Sequence, residues 1–249
     1  MTDFKTLAEI VTIQNQELAI ESYQVKPVGS GPWPGIIVFQ EIFGVNAHIR
    51  SVTQRIAQLG YVAIAPAIYQ RQVANLELGY SEAEVQLGRQ YKMNTRAEEL
   101  LSDTQATITY LNRLPEVRSG CIGTLGFCFG GHVAYLVATL PEIKATASFY
   151  GAGIATMIPG GGPPTVTKTS EIQGRLFGFF GTQDPSIPQS EVDLIEQTLR
   201  LEGVDFKIFQ YPAGHGFFCD QRPSYDPEAA DDAWHQVQTL FQETLLRDC

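Results

Sequence analysis

Short β-rich runs alternate with helix-like segments along most of this chain, and that alternation limits the fold more than any other feature. Apolar and β-branched runs over 35–39, 61–65, 121–127, 145–150, 175–181 and 206–211 read as buried strands. Helical periodicity fills the gaps over 48–59, 95–114, 132–140 and 189–201. A last long helix is expected over 227–246, with Pro227 near its start. Strands and helices in alternation predict an α/β fold, a mostly parallel sheet with helices on both faces. Ahead of this series, 10–13 and 17–25 look like two strands with no helix between them, which predicts an antiparallel edge at the N-terminus. No repeat or composition shift divides the 249 residues, so one domain over 1–249 is expected.

One stretch stands apart. The segment 151–170, GAGIATMIPGGGPPTVTKTS, is too rich in Gly and Pro for a regular element and predicts a long loop over the carboxyl ends of the strands. A surface insertion and a flap bordering a site both fit that composition.

The most informative run is GTLGFCFGGH at 123–132. Within it, Gly126-Phe127-Cys128-Phe129-Gly130 has the form G-x-C-x-G, the nucleophile-elbow pattern with Cys in place of Ser. A nucleophile on a sharp strand-to-helix turn needs small residues two before and two after it. The turn also puts Cys128 at a helix N-terminus, where the dipole favours a thiolate. A buried core cysteine and a phosphate-cradling turn are the plainer readings. The second would call for a P-loop lysine or a G-x-G-x-x-G order, and neither occurs here.

Two later segments give the elbow partners. The strand over 175–181 runs into Thr182-Gln183-Asp184, and the strand over 206–211 into Pro212-Ala213-Gly214-His215. Both Asp184 and His215 therefore fall on loops at the carboxyl edge, where open α/β sheets carry their sites. The order nucleophile, acid, histidine is that of α/β-hydrolases. His48 and His235 fall inside expected helices, as surface or partner-facing residues. His132 follows the elbow and is expected to pack the helix.

Bulk properties remove other classes. The net charge of −10 and the lack of a Lys/Arg cluster argue against nucleic-acid binding. The four cysteines (121, 128, 219 and 249) show no C-x-x-C spacing, and the histidines are not arranged around them as zinc ligands. Polar residues interrupt every apolar run near the N-terminus, and no run approaches the roughly 18 apolar residues of a membrane span. A cytoplasmic protein with reduced thiols, not associated with a membrane, monomeric or a small homo-oligomer, is expected.

Taken together, Gln40-Glu41-Ile42-Phe43-Gly44-Val45-Asn46, Gly126 to Gly131, Gly181 to Asp184 and Tyr211 to His215 resemble the dienelactone hydrolase (carboxymethylenebutenolidase) family over nearly the whole chain. The resemblance implies an α/β-hydrolase fold and a cysteine-dependent hydrolase of small esters or lactones. It implies a Cys128, His215, Asp184 triad working through a thioester acyl-enzyme, an oxyanion hole of the Ile42 and Phe129 N–H groups, and no metal or organic cofactor. It also implies that Glu41 restrains the Cys128 thiol until substrate binds. From the residues alone, Glu41 is equally a partly buried, hydrogen-bonded carboxyl. The family members that hold a substrate carboxylate between two arginines depart from this chain, which has Leu87 and Cys219 at those places. Arg89, Lys92 and Arg222 lie nearby but out of register. Phe43, Tyr91, Phe217 and Phe218 are pocket candidates or core residues. A thiol redox protein and a non-catalytic ligand-binding protein of the same fold are the alternatives.

Overall fold

The computed structural model describes residues 3–247 and 249. Its centre is an eight-stranded sheet in the order β1-β2-β4-β3-β5-β6-β7-β8. β1 (Thr6–Asn15) and β2 (Leu18–Pro27) form an antiparallel hairpin, and β2 joins β4 (Val62–Pro66) antiparallel. β3 (Trp33–Phe39), β4, β5 (Val117–Phe127), β6 (Ile143–Phe149), β7 (Arg175–Gly181) and β8 (Phe206–Tyr211) run parallel. The expected α/β architecture with an antiparallel N-terminal edge is the observed one.

The inner parallel strands are largely apolar on both faces because both faces are covered, whereas the edge strand β8 exposes Lys207 and Gln210. Ile36 and Val38 of β3 point into one core with α1 (Ala47–Gln58), α5 (Gln189–Leu201) and α6 (Pro227–Phe241), through Ile49, Val192 and Val237 among others. Ile37 and Phe39 point into the other with α3 (Ala97–Arg113) and α4 (Phe129–Val137), through Leu100, Leu111 and Val133. Each such side chain, fully removed from water, contributes about 1.5–3 kcal/mol. After α6 the chain continues as a π-helical turn, Gln242–Arg247, which completes the long C-terminal helix expected from the pattern.

Two features differ from expectation. A helix α2, Glu82–Met93, was not expected, because only its Gly88 is buried and it has little apolar periodicity. Its start is nonetheless written in the sequence: Ser81 and Glu84 form a capping box. Segment 151–170 is not a plain loop either. It ends in a 3-10 helix, Thr165–Glu171, and buries Ile154 and Val166. Gly160, Gly161 and Gly162, all at positive φ, let the chain reverse before it docks.

His132 of α4 pins this segment, which makes it a packing residue as expected. Its Nδ1 lies 3.2 Å from the Ala152 carbonyl and its Nε2 2.6 Å from Thr165 Oγ1. A carbonyl only accepts, so Nδ1 carries the proton and Nε2 accepts from the hydroxyl. Complete burial, then the nearby Lys92 charge, push His132 down to about 3, against the opposing Ala152 hydrogen bond. The unfolded chain binds this proton near 6.5, so the stability contributed by neutral His132 is full above that pH and lost as pH falls toward about 3. The unfolding free energy of wild type relative to His132→Gln is expected to fall by about 1.4 kcal/mol per pH unit from pH 6 to 4 in urea titrations. A pH-independent difference would show that His132 titrates normally.

Candidate active site

Cys128 stands between β5 and α4 at φ 55° and ψ −117°, a conformation that costs a non-glycine residue about 1–3 kcal/mol. Three neighbouring glycines permit it. A Cβ on Gly126 would strike the Gly130 carbonyl, one on Gly130 the Phe39 and Gln40 carbonyls, and one on Gly131 the Phe149 carbonyl. The Cys128 N–H donates to the Phe149 carbonyl at 3.0 Å, tying the turn to β6. Phe129 opens α4, so its N–H has no acceptor within the helix. Ile42 lies across from it in the turn after β3, where Gly88 of α2 rests on the Ile42 carbonyl.

His215, on the loop after β8, donates from Nδ1 to Asp184 Oδ2 at 2.7 Å; the Asp184 side chain is fully buried on the loop after β7. With Nδ1 engaged, Nε2 remains available to Cys128, whose charge acts on the imidazole. Burial opposes the imidazolium. The Cys128 charge, the hydrogen bonds to Asp184 and Cys128, and the Asp184 charge outweigh it and lift His215 to about 10.

Glu41 is 1 % exposed. Its Oε1 accepts from Arg222 Nη1 at 2.9 Å, while Oε2 is buried without a hydrogen-bond partner. Burial works against the Arg222 guanidinium, but the charges of Glu41 and then Cys128 hold it above its ordinary value. The guanidinium also lies 5.9 Å over Phe43 and 5.8 Å over Tyr80. Arg222 is thus brought to the site, paired to Glu41. Arg89 and Leu87 are exposed on α2, away from this cluster of charges. Lys92 lies 5.5 Å over the Phe129 ring.

The aromatic candidates separate. Phe43 packs edge-on to Tyr80 at 4.8 Å, and Tyr91 is half-buried 5.7 Å from Tyr69. Phe217 and Phe218 are core residues, 0 % and 3 % exposed and packed on Phe149, and Phe218 also borders a small cavity beside His48. Lys92 and the 151–170 segment border a cleft of about 560 Å³ between Lys92–Arg96 and Met157–Gly161. That segment therefore forms one wall of a surface cleft whose lining includes none of Cys128, Asp184, His215 and Glu41.

Sequence reasoning misplaced His48 and passed over three tyrosines. His48 is buried, not superficial, because α1 turns its first residues inward against Phe127 and Phe218. Burial holds it below its ordinary value despite the Glu41 and Asp220 charges. Tyr150 and Tyr69 have buried hydroxyls without partners. Burial raises both, and the Cys128 charge adds to each. Tyr150 also packs edge-on to His215 at 5.2 Å. Both lie just beyond the carboxyl ends of their strands, β6 and β4, and that position was the available signal. Tyr80 Oη lies 3.2 Å from Cys219 Sγ. Burial and the Glu41 charge push the Cys219 thiol up to about 11.

An elbow after β5, an acid after β7 and a histidine after β8 in a sheet of this order place the chain in the α/β-hydrolase class. The family model of the dienelactone hydrolase family matches residues 20–245, and the chain belongs to that family. A Synechocystis relative named "Putative carboxymethylenebutenolidase" is 54% identical over 244 residues, 98% of each chain. An Escherichia coli relative of the same name is 32% identical, over 97% of this chain and 89% of its own. The crystal structure of "Putative Dienelactone Hydrolase" from Klebsiella pneumoniae superposes with a TM-score of 0.87 at 30% identity, covering 96% of this chain and 99% of that one. Among the described residues, no helix is long and apolar enough to cross a membrane.

The raised His215 has a direct test. Its imidazole resonances should titrate near 10 by NMR, so the pairing energy is complete below about 6.5 and lost as pH rises through about 10. Cys128→Ala should bring the titration down further than Asp184→Asn does. The reverse order would show that Asp184, not Cys128, dominates the charge on His215.

Proposed function

We propose that the protein hydrolyses small carboxylic esters or lactones with Cys128 as nucleophile, His215 as general acid and base, and Asp184 orienting the imidazole. The observation that carries the reading is the 2.7 Å His215–Asp184 hydrogen bond beside a cysteine held at positive φ on the elbow. With the thiol proton transferred to His215, the Cys128 sulfur attacks the carbonyl carbon, and the carbonyl electron pair moves to oxygen. The Ile42 and Phe129 N–H groups donate to that oxyanion, an interaction worth about 3–4 kcal/mol per donor. Collapse expels the alkoxide, which takes a proton from His215 and leaves a thioester. Water then attacks the thioester, giving its proton to His215. The thiolate departs and the acid is released, so the sum is one ester bond broken and one water consumed. For a lactone both products remain in one molecule.

Incubation with a p-nitrophenyl ester and rapid acid quench should add one acyl group to the peptide containing Cys128, by mass spectrometry. Cys128→Ala should lose both the adduct and at least about a thousandfold in turnover, the order expected for removal of a nucleophile. Turnover that survives in Cys128→Ala, or an acyl group found elsewhere, would sink the assignment.

Glu41 serves in this proposal as the brake on the thiol. A buried anion near Cys128 disfavours the thiolate, and its pairing with Arg222 keeps that guanidinium from favouring it. Glu41→Gln removes the anion and frees Arg222, and both changes act in the same direction. Iodoacetamide should then alkylate Cys128 roughly tenfold faster near neutral pH, as about 1.4 kcal/mol in thiolate stability would give, with ester hydrolysis lowered. An alkylation rate and pH profile matching wild type would make Glu41 a structural carboxyl.

A further inference from the structure

Behind the nucleophile, the fold brings together three groups that lie far apart in the sequence. Glu41 follows β3, His48 sits in the first turn of α1, and Cys219 lies on the loop after β8. One ligand atom from each lies within 4.8 Å of the other two, and all three residues are buried. Glu41 Oε2 and His48 Nε2 are each buried with no hydrogen-bond partner. Two polar atoms buried without partners are unfavourable unless a partner is bound.

We propose that Glu41, His48 and Cys219 form a binding site for a borderline-soft divalent cation of the Zn2+ type. Thiolate, imidazole and carboxylate together favour zinc over Mg2+ or Ca2+, which take oxygen sets. Zinc bonds of about 2.0–2.3 Å place tetrahedral ligands roughly 3.2–3.8 Å apart, so closure needs a contraction of about 1 Å. The surrounding groups hold the ligands in place. Arg222 Nη1 fixes Glu41 Oε1 and leaves Oε2 to the ion. Tyr80 Oη lies against the Cys219 sulfur at 3.2 Å and is itself held by Asn46 Nδ2 at 3.2 Å. Such outer partners orient metal ligands and tune them. His48 also lines a polar cavity of about 60 Å³ whose walls carry two carboxylates, Asp220 and Asp231, against one cation, Arg55. Binding releases the Cys219 proton to solvent, and no oxidation change occurs. Three protein ligands leave a fourth position for water. An ion there takes the free oxygen of Glu41, so the bound state holds the Glu41 carboxylate in place.

The test uses Cys128→Ser, which removes the nucleophilic sulfur as a competing ligand, and Co2+ as the probe. One equivalent should bind with a sulfur-to-cobalt charge-transfer band in the near ultraviolet, displaced by stoichiometric Zn2+. In Cys128→Ser/Cys219→Ser the band should vanish. In Cys128→Ser/His48→Gln affinity should fall at least tenfold, with the parent circular dichroism retained in both. Should either double variant fail to fold, zinc-edge X-ray absorption on Zn2+-loaded Cys128→Ser decides the matter: one sulfur with nitrogen and oxygen neighbours supports the site. No cobalt binding, a band that survives loss of Cys219, or a zinc shell without sulfur each overturns it.

Discussion

The backbone turn at Cys128 is the constraint from which the rest of the site follows. It folds the β5–α4 junction so tightly on itself, and so close to the end of β3 and to β6, that Gly126, Gly130 and Gly131 respectively have no room for a Cβ. The strain is about 1–3 kcal/mol at Cys128 itself. It is offset by a sheet buried on both faces and by the Cys128 N–H bond to Phe149. The same close approach sets the oxyanion geometry of the proposed reaction, because it brings the start of α4 near the Glu41–Ile42 turn. A methyl at Gly130 would push the start of α4 away from the chain that leads to Ile42, one at Gly131 would push it from β6, and one at Gly126 would open the turn itself.

Around that turn the structure concentrates charge under the surface. Asp184 and Glu41 are buried, and each has one cationic partner: His215 for Asp184, Arg222 for Glu41. Cys128 lies near both cations, contributing to the raised His215 and to the raised Arg222. Two imidazole and guanidinium groups therefore share the sulfur's field, while Glu41 opposes it. In the proposed mechanism this gives His215 and Arg222 opposite dependence on Glu41. His215 keeps its own carboxylate whatever Glu41 does, whereas Arg222 loses the carboxylate it pairs with when Glu41 is neutralised or engaged elsewhere. A cation held by Glu41, His48 and Cys219 would act on the same balance from behind, through the one carboxylate oxygen that Arg222 does not occupy.

The two places at which the family resemblance implies substrate-binding arginines hold Leu87 and Cys219. Leu87 and Arg89 are exposed on α2, and Cys219 is buried against Tyr80, so neither arginine-equivalent position offers a guanidinium. The cations that do come close are Arg222, through Glu41, and Lys92, over the Phe129 ring at the edge of a cleft. The ordered 151–170 segment forms the far wall of that cleft. His132 anchors it from beneath, which links helix α4 of the elbow to the shape of the opening.

Sequence alone carried the architecture and the order of the chemistry. Strands buried on both faces are continuous apolar runs whatever their neighbours, and a strained turn demands glycines at fixed offsets, so the strand series β3 to β8 was legible, as was the placing of Cys128 at a strand-to-helix turn and of Asp184 and His215 on the loops after β7 and β8. α2 was not, because a helix that buries only Gly88 leaves no apolar stripe; only its Ser81–Glu84 capping box was written locally. The inward turn of His48, the core positions of Phe217 and Phe218, the Arg222 partner of Glu41 and the meeting of Glu41, His48 and Cys219 are not in the spacing at all. Those pairs are up to 181 residues apart and come together only because parallel strands deliver their carboxyl ends to one edge. Local periodicity and turn chemistry are short-range properties that a sequence spells out, whereas which buried polar atom meets which is decided by the three-dimensional closure of the sheet and its covering helices.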